Sequence, residues 1–208
     1  MCIRDSIGLI KSSMRILVTG GAGFIGSHVI KKLLQQEENV VFNIDKMGYA
    51  SNPYILDDLK KQNSSISTNQ YKFLNIDLAS KTDTERAVEE AKPNLIMHLA
   101  AESHVDRSID GPEEFIKSNI VGTFNLLESA RKFWLTLNSD DKKNFRFHHI
   151  STDEVFGSLG ELGSFSEETP YDPRSPYSAS KASSDHLVKA WFHTYKPVSY
   201  THLTLPTT

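Results

Sequence analysis

A glycine-rich turn between an apolar run and a helix-like segment constrains this chain most. Gly20, Gly23 and Gly26 form a Gly-x-x-Gly-x-x-Gly pattern directly after the run Arg15–Thr19. Glycines at such positions allow a tight turn, close approach of a pyrophosphate to the backbone, and close packing of helix on strand. The free N–H groups at the helix N-terminus attract phosphates. The pattern predicts a dinucleotide site, and the alternative is a purely structural turn.

Strand-like and helix-like segments alternate along the chain. Short apolar runs predict five strands, and amphipathic periodicity predicts helices between them. This alternation implies right-handed crossovers and a parallel sheet. The sequence therefore predicts an α/β, doubly wound dinucleotide-binding domain, with strands at 15–19, 40–45, 71–76, 94–99 and 145–150 and helices at 24–36, 82–91, 112–137 and 176–195.

Acidic residues follow two of the predicted strands. Asp45 lies about 20 residues after the glycine turn, where a carboxylate accepts hydrogen bonds from a ribose hydroxyl. A carboxylate there repels a 2′-phosphate, which favours NAD over NADP, although the charge of Lys46 can offset this preference. Asp77 and Leu78 follow the third strand, where a carboxylate and backbone can meet the adenine edge. The alternative for Asp77 is a helix N-cap.

Composition excludes several classes of function. The net charge is −3, so no excess of basic charge points to nucleic acid or an anionic membrane as partner. Cys2 is the single cysteine of the 208 residues, which rules out an internal disulfide framework. His148 and His149 are adjacent in a predicted strand and point to opposite faces, which favours core or surface positions over a metal site. We expect a cytoplasmic protein with no metal site.

Tyr177 and Lys181 are spaced to share one face of the last predicted helix. Phenolic groups titrate near pH ~10, so a tyrosine becomes a useful base when nearby positive charge lowers its pKa. We expect Lys181 and a nicotinamide cation to have this effect. Thr152, after the fifth strand, can orient the hydroxyl that is oxidised. Asp153 and Glu154 can divide acid and base work, and the alternative is a pair of solvated acids.

Together these motifs resemble the extended short-chain dehydrogenase/reductases, and within them the nucleotide-sugar 4,6-dehydratases, especially those acting on dTDP-glucose. The resemblance covers residues 14 to about 196. It rests on the glycine turn and on five further stretches, at 45–52 (with Asp-Lys and Tyr-Ala-Ser-Asn), 99–108 (Leu-Ala-Ala-Glu-Ser-His-Val-Asp-Arg-Ser), 119–123 (Asn-Ile-Val-Gly-Thr), 151–155 (Ser-Thr-Asp-Glu-Val) and 175–181 (Ser-Pro-Tyr-Ser-Ala-Ser-Lys).

The resemblance implies a set of catalytic roles. Tyr177 would take the O4 proton while hydride passes to NAD, Glu154 would remove the C5 proton, and Asp153 would protonate the departing C6 hydroxyl. Hydride would then return to C6, giving a 4-keto-6-deoxy sugar. Ser103 and Thr152 would contact the substrate. Residues expected at the cofactor are Gly20, Gly23, Phe24, Ile25, Gly26, Asp45, Lys46, Asp77, Leu78, Leu99, Ala100, Ala101, Ser118, Tyr177 and Lys181.

The sequence also departs from the family pattern. Gly48 and Ser51 stand where the family commonly has Thr and Gly, and Phe156 stands where Tyr is common. The family continues into a smaller C-terminal substrate domain, which is largely missing here. The nucleotide-binding segments of that domain are therefore missing too, and the fragment alone is expected to be inactive. The full-length protein is expected to form a homodimer.

Both ends differ in character from the middle. Residues 1–13 precede Met14 and lack a secretory signal, and they are interpreted as a non-native or disordered leader. Residues 14–197 are predicted to form the NAD-binding domain with the catalytic residues. Residues 198–208 carry no Asp, Glu, Lys or Arg and are interpreted as a non-native tail, the alternative being a frayed natural terminus.

Three functions stay open at this point. The first is dehydration of dTDP-glucose. The second is a related NAD-dependent dehydratase, decarboxylase or epimerase acting on a CDP- or UDP-sugar. The third is an NAD-binding module without catalysis. An epimerase needs no second acid–base pair, whereas a dehydratase must remove a proton from one carbon and protonate a leaving hydroxyl on the next.

Overall fold

A computed structural model describes residues 13–52, 54, 58, 61, 69–160, 163–166, 168–195 and 199–203. All but one residue of the predicted leader lie outside the described residues, as do positions 198 and 204–208 of the predicted tail. Within the described part, no helix is long and apolar enough to span a membrane.

One parallel sheet forms the centre of the fold. Its strand order is β3-β2-β1-β4-β5-β6, and every neighbouring pair runs parallel. The order reverses between β1 and β4, as expected for a doubly wound α/β fold. The predicted fold class is confirmed. The strands are β1 (Arg15–Thr19), β2 (Val40–Asp45), β3 (Tyr71–Asn75), β4 (Leu95–His98), β5 (Arg146–Ile150) and β6 (Ser199–Leu203).

Helices connect the strands on both faces of the sheet. The four predicted helices are present, but the one predicted at 112–137 is divided by a turn of π-helix at Ile116–Val121. Three short elements were not predicted, because a segment of four to six residues is too short to show helical periodicity. The α-helices are α1 (Phe24–Leu33), α2 (Lys81–Ala91), α3 (Val105–Asp110), α4 (Pro112–Phe115), α5 (Gly122–Thr136), α6 (Ser139–Asn144) and α7 (Pro176–Tyr195), and a 3-10 turn covers Asp153–Phe156.

The sixth strand lies in the segment interpreted as a tail. Ser199–Leu203 runs parallel to β5 at the edge of the sheet. The segment therefore adds an element to the sheet, which the sequence analysis did not anticipate. The five residues Ser-Tyr-Thr-His-Leu include neither an apolar run nor a regular alternation that would predict this pairing.

The core consists of two apolar layers separated by the sheet. Ile16 and Val18 of β1 face Val29, Ile30 and Leu33 of α1. The other face of the sheet, including Leu17, packs against α2, α5 and α7. Because β1 is buried on both faces, it reads as a continuous apolar run rather than an alternating one.

The glycine turn joins β1 to α1 under tight steric limits. Gly20 adopts φ +73°, a conformation that favours glycine, and a Cβ added there would lie 2.7 Å from the Cα of Ala100. A Cβ at Gly26 would overlap the carbonyl oxygen of Gly20. The turn is therefore pressed against the end of β4, and its backbone faces the carboxyl edge of the sheet.

Candidate active site

A cavity of about 360 Å³ opens at the carboxyl edge of the sheet, beside the point where the strand order reverses. This volume lies within the range of roughly 300–1,000 Å³ that is typical of small-molecule sites. All residues that the sequence predicts at the cofactor line this cavity, together with Ser103: Gly20, Gly23, Phe24, Ile25, Gly26, Asp45, Lys46, Asp77, Leu78, Leu99, Ala100, Ala101, Ser118, Tyr177 and Lys181.

Asp45 holds two loops together at one end of the cavity. Its Oδ2 accepts a hydrogen bond from the N–H of Ala22 in the glycine turn (2.9 Å). Its Oδ1 accepts from the N–H of Met47 and from the hydroxyl of Ser51, both at 2.8 Å. Three neutral donors therefore fix the position of this buried carboxylate. Oδ2 has capacity for one more donor.

Asp77 and Lys46 lie near Asp45 on the cavity wall. Asp77 is not the N-cap of α2, because that position belongs to Ser80. The N-cap alternative is therefore wrong. Asp77 instead accepts a hydrogen bond from Ala79 in a tight turn. The ammonium of Lys46 lies 2.7 Å from a carboxylate oxygen of Glu102, a residue that the sequence analysis did not select.

Tyr177 and Lys181 share one face of α7 at the other end of the cavity. The ammonium of Lys181 is buried and donates to the carbonyl oxygen of Ile150 at 2.7 Å. The Tyr177 side chain is buried and hydrogen bonds Thr152. The ring of Phe115 packs edge-on against it, with centroids 6.2 Å apart. The end of β5 and helix α7 thus place a phenol, a hydroxyl and an ammonium together.

The pKa of Tyr177 is raised rather than lowered. Burial is the main cause, and the charges of Glu154, Asp153 and Asp185 add to it, while the hydrogen bond from Thr152 works in the opposite direction. Burial also lowers the pKa of Lys181, against the charge of Asp185. A buried phenol near three carboxylates resists ionisation, and the expected lowering of its pKa by Lys181 together with a nicotinamide cation stays a prediction.

Asp153 and Glu154 begin the 3-10 turn that follows β5. Thr152 caps this turn by accepting a hydrogen bond from the N–H of Glu154 at 3.3 Å. Both acids are partly exposed and lie beside the cavity, outside its lining. Burial, followed by the charge of Asp153, raises the pKa of Glu154. The two adjacent carboxyls therefore differ in their environments, as an acid–base pair requires.

Ser103 lies on the opposite wall, in the loop after β4. Its side chain is exposed, and its hydroxyl lies 3.4 Å from Nδ1 of His104. Asn119 of the π-helical turn organises this loop, because its amide donates to the carbonyl oxygen of Glu102 and accepts from the N–H of the same residue. The amide also donates to Ser180 beside Lys181. Sequence reasoning missed this role, since nothing local marks a bond across 61 residues.

Asp185 is the second residue that sequence reasoning missed. Its fully buried carboxylate accepts hydrogen bonds from Nε2 of His149 (2.9 Å), from the hydroxyl of Ser151 and from the phenol of Tyr171 (2.9 Å). It lies one turn after Lys181 on the same helix face, so Tyr177, Lys181 and Asp185 form one stripe. This spacing was visible in the sequence. The carboxylate ties β5 and the following loop to α7.

A family model and the sequences of curated relatives both identify the family. A family model described as GDP-mannose 4,6 dehydratase matches residues 17–204. The chain belongs to this family. Two curated relatives are the dTDP-glucose 4,6-dehydratase of Salmonella typhimurium, 52% identical over 191 residues, and that of Neisseria meningitidis serogroup B, 51% identical over 182 residues. These alignments cover 88% and 87% of the chain. The resemblance to nucleotide-sugar 4,6-dehydratases is confirmed.

Solved structures of the family share this architecture. The dTDP-glucose 4,6-dehydratase of Streptomyces venezuelae, solved with NAD and TYD bound, is 36% identical with a TM-score of 0.77, over 91% of this chain and 54% of that one. The UDP-glucose 4-epimerase of Thermus thermophilus, solved with NAD, is 29% identical with a TM-score of 0.75, over 91% and 54%. The chain spans about half the length of the curated relatives it matches.

The Asp185 network predicts a large effect on stability. Replacing Asp185 with Ala leaves the buried donors of His149 and Ser151 and the half-buried phenol of Tyr171 without their acceptor, which should lower the free energy of unfolding by about 3–5 kcal/mol. Asp110→Ala is the matched control, because Asp110 is an exposed acid. This substitution should change the free energy of unfolding by at most about 0.5 kcal/mol. Urea unfolding followed by circular dichroism measures both. Equal stability of the two variants would contradict a stabilising role for Asp185.

Proposed function

We propose that the protein to which this chain belongs dehydrates dTDP-glucose to dTDP-4-keto-6-deoxyglucose, with NAD as its internal redox cofactor. The observation that carries the proposal is the acid pair Asp153 and Glu154 beside the Tyr177–Lys181 stripe, at the edge of one cavity. The relatives named above add support, since several are dTDP-glucose 4,6-dehydratases.

The cavity fits a dinucleotide in several ways. Gly20 and Gly26 permit the tight turn that brings this backbone to the cavity, and the N-terminus of α1 faces the same space. Asp45 offers a fixed acceptor for a ribose hydroxyl. When bound, the nicotinamide ring would accept a hydride from the sugar and return it. The residues proposed to hold NAD are those that were predicted from the sequence and line the cavity.

Tyr177 is proposed to accept the proton of the sugar O4 hydroxyl as that carbon is oxidised. Its raised pKa means that the phenol holds its proton until positive charge is placed beside it. Lys181 already lies one turn away on the same helix face, and a bound nicotinamide cation would add the positive charge that favours ionisation. Thr152, which hydrogen bonds Tyr177, is proposed to orient the same hydroxyl, and Ser103 is proposed to contact the sugar from the opposite wall.

Glu154 and Asp153 are proposed to carry out the elimination. Once C4 is a ketone, the C5 proton becomes acidic, and ionised Glu154 removes it. Asp153 in its acid form protonates the C6 hydroxyl, which leaves as water. Its raised pKa makes Glu154, once ionised, a stronger base than a carboxylate with the ordinary value.

Asp153 and Glu154 also distinguish the proposed dehydration from the alternative functions. An epimerase of the same fold oxidises and reduces a single carbon and has no elimination for Asp153 and Glu154 to catalyse. A binding module without catalysis has no use for either the pair or Tyr177. The choice of dTDP over CDP or UDP rests on the relatives.

We also propose that the full-length protein is a cytoplasmic homodimer. The helices α5 and α7 carry a connected set of aromatic side chains at the surface, in which Phe124 meets Trp191 and Trp191 meets Tyr195. Phe124 is 40% exposed and Tyr195 is 42% exposed. Covering such a strip with a second copy would bury apolar area that otherwise faces water.

Replacing Tyr177 with Phe tests the proposed base. The variant should fold normally and lose formation of reduced nicotinamide on mixing with dTDP-glucose, by about 10²–10⁴-fold, because the proton acceptor is gone. Tyr195→Phe, at an exposed tyrosine of the same helix, should have no effect. Rapid-mixing absorbance of the full-length protein measures both. Normal reduction by the Tyr177 variant would show that another group is the base.

Separate substitutions of Glu154 and Asp153 test the elimination. In Glu154→Gln and Asp153→Asn, oxidation at C4 should survive and water loss should slow by about 10²–10⁴-fold. Glu154→Gln should also slow exchange of the C5 hydrogen with deuterated solvent, while Asp153→Asn should spare exchange more than water loss. Mass spectrometry of the sugar gives both rates. Unimpaired product formation by both variants would refute the dehydratase assignment.

Exchange of the C5 hydrogen of the sugar with solvent should also depend on pH. Glu154 acts in its ionised form, so the C5 exchange rate should fall as the pH drops through its raised pKa. Since the charge of Asp153 contributes to that shift, Asp153→Asn should move the decline to lower pH. A pH profile of exchange in the two proteins measures this. An unchanged profile would mean that Asp153 does not affect the pKa of the base.

A further inference from the structure

Positive charge is scarce along the cavity wall. Among the described residues that line the cavity, the Lys and Arg side chains are Lys46 and Lys181. Lys181 lies at the catalytic end, where it donates to Ile150. Lys46 is therefore the one lysine of this lining that adjoins Asp45, at the end proposed for the adenosine ribose. Any 2′-phosphate at that ribose would depend on Lys46 for a charged partner.

Lys46 is already held by a fixed acid. Its ammonium lies 2.7 Å from Oε1 of Glu102 and 3.9 Å from a carboxylate oxygen of Glu114. The Glu102 side chain is 13% exposed, whereas that of Glu114 is 61% exposed. Asn119 fixes the Glu102 backbone at both its N–H (2.8 Å) and its carbonyl oxygen (3.0 Å). Glu102 is thus a partly buried partner in a prepared position.

A second contact joins the same two loops. The phenol of Tyr49, in the loop after β2, lies 2.6 Å from Nδ1 of His104, in the loop after β4. The guanidinium of Arg107 stacks on the Tyr49 ring at 3.8 Å from its centroid. The loop that carries Lys46 is therefore anchored across the cavity mouth toward β4, and its lysine extends in that direction.

The electrostatics agree with this geometry. Burial works to lower the pKa of Lys46, but the hydrogen bond and charge of Glu102, with smaller contributions from Asp77 and Glu114, outweigh it and the pKa is raised. The hydrogen bonds that Asp45 accepts come from neutral donors, and the ion pairs of Lys46 are with Glu102 and Glu114. The ribose end of the cavity keeps an excess of negative charge.

We propose that Glu102 is a cofactor-selectivity residue, whose ion pair with Lys46 withholds that lysine from a ribose 2′-phosphate and so disfavours NADP. The inference rests on the proposed function, because it assumes that NAD binds in this cavity with its ribose at Asp45. Asp45 repels the phosphate directly. Glu102 has a separate role, because it pairs with the Lys46 ammonium that could otherwise offset this repulsion.

Calorimetric titration of the full-length protein with NAD and with NADP tests the assignment. Glu102→Gln should free Lys46 and lower the ratio of the NADP Kd to the NAD Kd by at least about tenfold, as expected for a gained charged hydrogen bond. Adding Lys46→Met to that variant should restore the original ratio. Glu114→Gln is the matched control, and its long, exposed contact should change the ratio by less than about fivefold.

Two results would overturn the proposed role of Glu102 even if the unsubstituted protein binds NAD. One is an unchanged ratio in Glu102→Gln, and the other is a gain that persists in the double variant. If Glu102→Gln does not fold, Glu102→Asp decides the matter, because its shorter side chain draws the carboxylate away from the Lys46 ammonium. It should lower the ratio in the same direction as Glu102→Gln, and an unchanged ratio would overturn the inference. Failure of the unsubstituted protein to bind NAD would instead overturn the proposed function and this inference with it.

Discussion

The structure depends on the close approach of the glycine turn to the end of β4. Gly20 occupies a conformation with φ +73°, and any side chain there would meet the backbone of Ala100. This contact brings the carboxyl ends of β1 and β4 together, and the sheet reverses its strand order at that same place. A crevice must form where the crossovers diverge to opposite faces. The cavity and both of its charged ends follow from this constraint.

The two ends of the cavity differ in their charged groups and in how those groups are held. At the β2 end, neutral donors hold the carboxylate of Asp45, and Lys46 is paired with Glu102. At the β5 end, burial raises the pKa of Tyr177, and the charges of nearby carboxylates add to this shift. In the proposed function, the first end recognises the cofactor, and the protonation state of the second changes when the cofactor becomes positively charged.

Local sequence signals predicted most of the fold and much of the site. The glycine spacing, the apolar runs and the placement of Asp45 and Asp77 at strand ends are all local, and parallel strands bring such ends to one edge. The spacing of Tyr177 and Lys181 is a property of a single helix. Each of these could be read from a window of a few residues, because the physical cause acts within that window.

The remaining features depend on contacts distant in sequence. The Lys46–Glu102 pair, the clamp of Asn119 on the Glu102 backbone, and the Asp185 network each join segments that only the tertiary fold brings together. The shift of the Tyr177 pKa has the same origin, since burial and three carboxylates outweigh the hydrogen bond with Thr152. The π-helical turn was hidden within a segment whose composition is typical of one long helix.

The central claim is that a single cavity oxidises one carbon of the sugar and reduces another. The most direct measurement follows deuterium in dTDP-glucose labelled at C4, with the full-length protein and unlabelled NAD. The account predicts that the deuterium appears at C6 of the 4-keto-6-deoxy sugar and that little enters the solvent. Deuterium that stays at C4, in substrate or in its C4 epimer, would contradict the claim.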